Sequence, residues 1–147
     1  MRGTTLSDEA ALLDRRDGAV AILTLNEPGK RNALTPAIRV ALAEAIDRIE
    51  RDPAIRAVVI TSEGDHFTAG NDITDFLEHP PTAEDSSVVA FLGALHNFSK
   101  PLLAAVKGNA VGVGTTMLLH CDIVIAGETA RFALPFAALG LVPEAGS

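Results

Sequence analysis

Apolar residues along this chain follow two patterns: short continuous runs, and positions repeated at helical spacing. Short apolar runs bounded by Gly, Pro, Asn or Asp are typical of β-strands. The predicted strands are residues 19–25, 57–61, 102–106, 122–126 and, as a fifth, 130–133. Because helical patterns separate these runs, the chain is predicted to be an α/β protein with mainly parallel neighbouring strands.

The first helical pattern has recognisable signals at both ends. Thr35 is placed to cap the helix and Pro36 suits its first position. Asp52-Pro53 ends the helix soon after Glu50. The apolar face carries Ile38, Leu42, Ala45, Ile46 and Ile49. The opposite face is predicted to be polar and carries Arg39, Glu44, Asp47, Arg48 and Arg51.

Further helices are predicted in the second half of the chain. One carries Val88, Phe91, Leu92, Leu95 and Phe98 at helical spacing. A short helical turn is predicted to end at Phe76-Leu77, and another short helix to span 115–120. The polar stretch 82–87 is predicted to be mobile, and residues 1–14 to form a frayed N-terminal segment.

Composition and charge narrow the classes of function. The 147 residues, 48% of them hydrophobic, suffice for one core. The net charge of -7 argues against nucleic-acid and anionic-membrane partners, which attract clustered cations. Neither a membrane-spanning run nor an apolar leader is visible, so we expect a soluble protein that is cytoplasmic, or organellar after import. The single Cys excludes a disulfide framework, and we expect no metal site.

Two glycine-containing segments join a strand to a helix and could carry chemistry. In residues 67–72, backbone N–H groups ahead of a helix could stabilise negative charge, or Asp72 could simply cap the helix after a turn. Residues 109–115 could bind a phosphate or present one N–H to an oxyanion. The phosphate interpretation is weak, because Met117 stands where a dinucleotide-binding loop has its third glycine.

A third segment, residues 141–147, places Glu144 among apolar and small residues. Desolvation there would raise the pKa of the Glu144 carboxyl and suit it to general acid–base catalysis. Alternatively, Glu144 lies in the first turn of a helix, where the macrodipole favours an acidic residue. The residues alone leave both interpretations open.

Taken in order, these segments resemble the crotonase superfamily (enoyl-CoA hydratase/isomerase). The similarity covers roughly residues 15–147. Its motifs are residues 30–34, which resemble a CoA-contacting loop, 67–73 and 100–114, which resemble two oxyanion-hole motifs, and the continuations 121–126 and 132–135. The resemblance implies an α/β fold of the ClpP/crotonase type, a spiral of ββα units, which we expect to be incomplete at the C-terminus.

The resemblance also implies a site. A CoA thioester would be held through its carbonyl by the backbone N–H groups of Asn71 and Val113. Its CoA portion would contact Lys30, Arg31, Ala33, Ala69 and Asp72. CoA would be part of the acyl-CoA substrate, with no permanently bound cofactor. The full-length protein is expected to be a homo-trimer or hexamer.

Departures from the family pattern indicate the reaction. The resemblance places the two glutamates of the hydratases at Thr116 and Phe136, so both are absent. Glu144 instead matches the single glutamate of the Δ3,Δ2-enoyl-CoA isomerase branch. The favoured hypothesis is therefore an isomerase in which Glu144 moves a proton from C2 to C4.

Two alternatives remain open. Another crotonase reaction with one glutamate, such as thioester hydrolysis or a specialised hydration, would use the same residues. A non-catalytic CoA-binding fragment is the other alternative, because the chain stops three residues after Glu144. A loosely held carboxylate is a poor catalyst, since catalytic groups must be positioned to about 0.5 Å.

Overall fold

A computed structural model describes residues 11–71, 78, 87–140 and 142, and these residues form two β-sheets together with α-helices. The strands are β1 (Leu12–Asp17), β2 (Val20–Leu25), β3 (Ala57–Ser62), β4 (Leu102–Val106), β5 (Asn109–Val111), β6 (Ile123–Ala126) and β7 (Arg131–Ala133). The α-helices are α1 (Pro36–Arg51), α2 (Ser87–Asn97) and α3 (Val113–Thr116). Turns of 3₁₀ helix span Pro28–Lys30, Met117–His120 and Ala137–Leu139. The predicted α/β class is confirmed.

The larger sheet has the strand order β1-β2-β3-β4-β6. β1 runs antiparallel to β2, and every later neighbour in this sheet is parallel, as predicted. α1 packs against α2. No helix among the described residues is both long enough and apolar enough to cross a bilayer. The helical turn predicted at 76–77 and the polar stretch 82–86 lie outside the described residues.

Strand β1 begins inside the segment that the sequence predicts to be frayed. Leu12 and Leu13 are buried, and β1 pairs with β2 along its whole length. Its polar second half hides this strand in the sequence, because it lies at an edge of the sheet where side chains face solvent. An ion pair between Asp14 and Arg48 joins β1 to α1. Residues 12–14 are therefore ordered, contrary to the prediction.

The smaller sheet is built from β5 and β7, which pair in parallel. Two isolated bridges extend it, Thr68 to Ala110 and Leu34 to Asn71, both parallel. Four backbone segments therefore run side by side, at residue 34, residues 68–71, β5 and β7. No strand was predicted at residues 109–111, and the predicted fifth strand was not assigned to a separate sheet, so this second sheet is a correction.

Helix α1 matches its predicted bounds within one residue and is capped as predicted. The Ile38 N–H donates to Thr35 Oγ1 at 3.3 Å. The predicted polar face is wrong at one position, because Arg39 is buried with only 4% of its surface exposed. Glu44, Asp47, Arg48 and Arg51 on that face are exposed or partly exposed. Helical periodicity assigns a residue to a face but does not show what covers it.

Strands β6 and β7 are apolar but exposed. Ile123, Ile125 and Phe132 are each about half exposed or more. By contrast, the alternating burial of β3 and β4 places Val58, Ile60 and Ala104 in the core beneath the helices. The apolar runs thus identify strands in both pairs, although only β3 and β4 are covered by other described residues.

Candidate functional site

The first loop of the candidate site follows Phe67 and ends at Asn71. Its backbone is held between two neighbours. The Ala69 N–H donates to the Arg31 carbonyl at 2.9 Å, and the Leu34 N–H donates to the Gly70 carbonyl at 2.7 Å. Gly70 has a φ of +86°, a left-handed value that favours glycine.

The direction of the Asn71 N–H follows from these bonds. The Gly70 carbonyl and the Asn71 N–H belong to one trans peptide, in which the two groups point in opposite directions. Because the carbonyl faces Leu34, the N–H faces away from it. No backbone hydrogen bond between described residues uses the Asn71 N–H.

The second loop turns at Gly112 and leads into α3. Gly112 has φ 55° and ψ −121°, and its N–H donates to the Ala133 carbonyl at 2.9 Å. The Gly112 carbonyl accepts from the N–H groups of Thr115 and Thr116. The N–H of the same peptide, that of Val113, therefore points out of the helix N-terminus, where the first N–H groups have no partner within the helix.

The two loops are in direct backbone contact. The Val111 N–H donates to the Thr68 carbonyl at 3.1 Å. A Cβ atom on Gly70 would lie 2.5 Å from the Val111 carbonyl oxygen and 3.9 Å from Gly112 Cα. Gly114 likewise leaves no room for a Cβ beside the Thr68 methyl group. The structure thus brings the two predicted donor residues, Asn71 and Val113, onto adjacent loops.

Among the described residues these two N–H groups have no backbone partner, and their positions on adjacent loops suit an oxygen atom that gains negative charge. Such donors act without reorganisation when a rigid scaffold holds them in place. Val113 and Thr68 are almost completely buried, so both loops are built on the core.

The predicted CoA-contacting residues lie on the segments beside the first loop. Lys30 and Arg31 are exposed, Ala33 and Ala69 are partly exposed, and the Arg31 carbonyl binds the Ala69 N–H. Lys30 lies 3.4 Å from the Glu27 carboxylate. The structure therefore groups these four positions at one end of the small sheet. The other two predicted site residues, Asp72 and Glu144, lie outside the described residues.

Both positions that the resemblance assigns to hydratase glutamates are buried. Thr116 is fully buried, and its hydroxyl donates to the Val113 carbonyl at 3.4 Å. Phe136 is 8% exposed and precedes the 3₁₀ turn Ala137–Leu139. No carboxylate stands at either position. Helix α3 begins two residues earlier than the predicted helix over 115–120 and continues as the 3₁₀ turn Met117–His120.

The sequence did not point to Asn32, whose side chain joins the turn at Glu27 to residues 63–66, just ahead of the first loop. This buried residue has a φ of 54°, which Asn tolerates better than most side chains. Its amide donates to the carbonyls of Glu63 and His66, both at 2.9 Å, and its Oδ1 accepts from the Glu27 N–H at 2.8 Å. Asn is common in turns, but this preference does not reveal which groups the Asn32 side chain binds.

Thr68 extends this network to the first donor loop. Its hydroxyl donates to the Asn32 carbonyl at 2.6 Å and accepts from the Gly70 N–H at 3.0 Å. Arg39, the other residue that sequence analysis missed, donates to Asn71 Oδ1 at 3.0 Å. The Thr68 side chain of the loop itself and the Arg39 side chain of α1 therefore act on Gly70 and Asn71.

Cys121 is a partly buried free thiol. Burial, and then the adjacent Asp122 carboxylate, raise the pKa of the Cys121 thiol to about 11, so the thiol is neutral at pH 7. Among the residues that the structure describes, no group of three or more His, Cys, Asp or Glu side chains could hold a metal ion.

Known proteins resemble this chain in both sequence and fold. The model of the family described as Enoyl-CoA hydratase/isomerase matches residues 15–147. The chain is 41% identical over 136 residues to 2,3-dehydroadipyl-CoA hydratase of Escherichia coli (strain K12), covering 92% of this chain and 53% of that protein. It is 35% identical over 143 residues to human Enoyl-CoA delta isomerase 2, covering 92% of this chain and 36% of that protein.

A solved structure gives the same picture for the fold. OdaA of Pseudomonas aeruginosa superposes with a TM-score of 0.89 at 49% sequence identity, covering 94% of this chain and 56% of that one. This chain spans about half the length of the curated relatives it matches or less.

Proposed function

We propose, from the premise that this chain belongs to the enoyl-CoA hydratase/isomerase family, that the whole protein moves a double bond in an enoyl-CoA from the 3- to the 2-position. The family and its crotonase fold were predicted from the sequence, and the comparisons confirm both. The reaction, the residue roles and the assignment of residues 15–147 as the N-terminal part of a CoA-thioester domain are proposals.

The proposed reaction begins when the thioester carbonyl binds between the two donor loops. The N–H groups of Asn71 and Val113 donate to the thioester oxygen as it gains negative charge. One donor of this kind stabilises a transition state by about 3 kcal/mol. Since the backbone supplies both donors, the side chains at these positions are free to serve other purposes.

Glu144 supplies the proton transfer, an assignment that depends on the sequence resemblance alone. Its carboxylate removes a proton from C2, and the electron pair of that C–H bond delocalises into a dienolate. The protonated Glu144 then donates the same proton to C4, so the double bond moves and no water or redox partner is consumed. The CoA portion stays intact and belongs to the substrate, so no resident cofactor is required.

The observation that carries this proposal is the nature of the two buried positions Thr116 and Phe136. Addition of water requires groups that orient and deprotonate it, and neither a threonine hydroxyl nor a phenyl ring is a suitable base. Because the side chains at positions 116 and 136 carry no charge, they would also keep water away from the dienolate.

A second candidate function is hydration of an enoyl-CoA. It is favoured by the 41% identity to the E. coli protein named 2,3-dehydroadipyl-CoA hydratase. In that case a group other than residues 116 and 136 would have to orient the water. A homo-trimer or hexamer remains our proposal for the assembly of the whole protein.

The test compares two reactions in the purified whole protein: isomerisation of 3-hexenoyl-CoA and hydration of crotonyl-CoA. We expect isomerisation to dominate, and Glu144→Gln to lower its kcat by about 10²- to 10⁴-fold. The exposed Glu128→Gln is the matched control and should leave both rates unchanged. Isomerisation retained within a fewfold in Glu144→Gln, or hydration as the faster reaction, would contradict the proposal.

A further inference from the structure

Arg39 is a buried arginine that reaches from α1 to the first donor loop. Only 4% of its surface is exposed. Its Nη1 donates to Asn71 Oδ1 at 3.0 Å and to the Leu34 carbonyl at 2.6 Å. Its Nε donates to Ser87 Oγ at 2.9 Å. Within the described part of the chain, one guanidinium therefore joins α1, the Leu34 strand segment, the first donor loop and the start of α2.

These bonds surround a single peptide group. The Leu34 N–H binds the Gly70 carbonyl, and Arg39 binds both the Leu34 carbonyl and the Asn71 side chain. The peptide between Gly70 and Asn71 is thus held directly through its carbonyl and indirectly through the side chain of Asn71. Its N–H is the proposed first oxyanion donor, which faces away from Leu34.

The guanidinium suits this position for physical reasons. A buried charge is unfavourable unless hydrogen bonds compensate for its lost hydration, and Arg39 makes several. The planar fork also fixes the directions of its donors, unlike the flexible ammonium group of lysine. A contact of this kind holds its partners in one arrangement.

We propose that Arg39 is a positioning residue, which orients the Asn71 peptide so that its N–H polarises the thioester carbonyl. This inference rests on the proposed function. Because catalysis falls steeply when a group is displaced by about 1 Å, the side chain of Asn71 would matter even though its backbone supplies the donor.

The test uses the whole protein and a chromophoric enoyl thioester, 4-(dimethylamino)cinnamoyl-CoA, whose absorption moves to longer wavelength when its carbonyl is polarised. We expect this red shift in the unaltered protein. Arg39→Met should reduce it by about half or more and lower the kcat for 3-hexenoyl-CoA by about 10- to 100-fold, with a much smaller change in KM. Arg39→Lys should recover only part of the shift.

Two further variants separate positioning from packing. Arg48→Met, on the same helix but exposed and paired with Asp14, is the matched control and should leave the red shift and kcat unchanged. Asn71→Ala keeps the backbone donor and should reproduce much of the Arg39→Met effect. In the double variant, kcat should fall by less than the product of the two single-variant fold-losses. The reason is that both substitutions remove the same contact, between Arg39 and Asn71.

The outcomes distinguish the two proposals. A bound thioester without a red shift in the unaltered protein would overturn the oxyanion site and Arg39's role together. A normal red shift that persists in Arg39→Met would overturn only the role of Arg39. Fully independent effects of Arg39→Met and Asn71→Ala on kcat would also overturn the role of Arg39. If Arg39→Met does not fold, Asn71→Ala alone must still reduce the red shift.

Discussion

The two donor loops are held in place by different means. The Gly70–Asn71 loop is held by side-chain hydrogen bonds: Arg39 of α1 donates to Asn71 Oδ1, and the loop's own Thr68 hydroxyl bonds to the Asn32 carbonyl and to the Gly70 N–H. The Gly112–Val113 loop is fastened mainly by its own backbone, through the bond to Ala133 and the first turn of α3. Its closest side-chain support is local, because the Thr115 hydroxyl donates to the Ala110 carbonyl at 2.6 Å.

This difference separates two ways of presenting an N–H group. A helix N-terminus leaves its first N–H groups unpaired whatever its sequence, so the second loop needs little beyond a glycine that permits the turn. An N–H at the end of a strand segment has no such default direction. The first loop therefore depends on particular side chains, and substitutions should affect the two loops unequally.

The largest expected effect is that of Gly70→Ala, which tests the contact between the loops. The new Cβ would lie 2.5 Å from the Val111 carbonyl oxygen, and the backbone φ of +86° is unfavourable for alanine. We expect a loss of more than about 3 kcal/mol in the free energy of unfolding, measured by urea denaturation. Gly93→Ala in α2, where nothing lies within 4 Å of the new Cβ, should be neutral or stabilising. A loss below about 1 kcal/mol for Gly70→Ala would mean that the loops are not tightly packed.

Asn32→Ala comes next and tests the side-chain hydrogen bonds that hold the segment leading into the first loop. It leaves the Glu27 N–H and the carbonyls of Glu63 and His66 without their partner. We expect a loss of about 2–4 kcal/mol in the free energy of unfolding, measured in the same way. The exposed Asn97→Ala, which removes one hydrogen bond at the end of α2, should cost less than about 1 kcal/mol. Equal losses for the two substitutions would refute the role given to Asn32.

Gly112→Ala should lower the free energy of unfolding less than Gly70→Ala, because the second loop is less crowded than the first. The Gly112 φ of 55° is again unfavourable for alanine, but no atom lies within 4 Å of the new Cβ. Backbone strain without a collision should cost about 1–2 kcal/mol in thermal or urea unfolding. A loss equal to that of Gly70→Ala would show that the second loop is as crowded as the first.

The smallest effect is expected from Thr115→Val, which removes the hydroxyl bound to the Ala110 carbonyl but keeps the shape of the side chain. A loss of about 1 kcal/mol is expected, and Thr115→Ser should recover most of it because the hydroxyl returns. If the valine variant lost several kcal/mol, the second loop too would depend on side-chain fastening, and the contrast between the loops would disappear.

Much of the fold could be predicted because its signals are local. The bounds of α1 follow from Thr35, Pro36 and Asp52-Pro53, which act on the neighbouring backbone. Strands β2, β3 and β4 follow from apolar runs that need only be buried. Strand β1 escaped prediction because its second half is polar, although it pairs with the neighbouring strand β2 across a two-residue turn. The small sheet escaped prediction because its pairing joins residues far apart in the chain.

The candidate site divides in the same way. The order of the motifs along the chain gave the family resemblance, and that resemblance implied Asn71 and Val113. The structure places these two residues on adjacent loops. Arg39 was assigned to the polar face of α1 by its spacing, and nothing in that spacing reveals the Asn71 amide that it binds. The partners of Asn32 lie in two other segments, 27 and 63–66, that no local pattern connects.

The sequence by itself determined the α/β class, the bounds of α1, the family and the absence of carboxylates at 116 and 136. Only the tertiary structure decided that Arg39 is buried, that Asn32 links separate loops, and that Gly70 and Gly112 meet. Propensity, capping and periodicity act over a few residues and can be read along the chain. Burial and hydrogen bonding between distant segments depend on which surfaces the folded backbone brings together, and this depends on the packing of the whole chain.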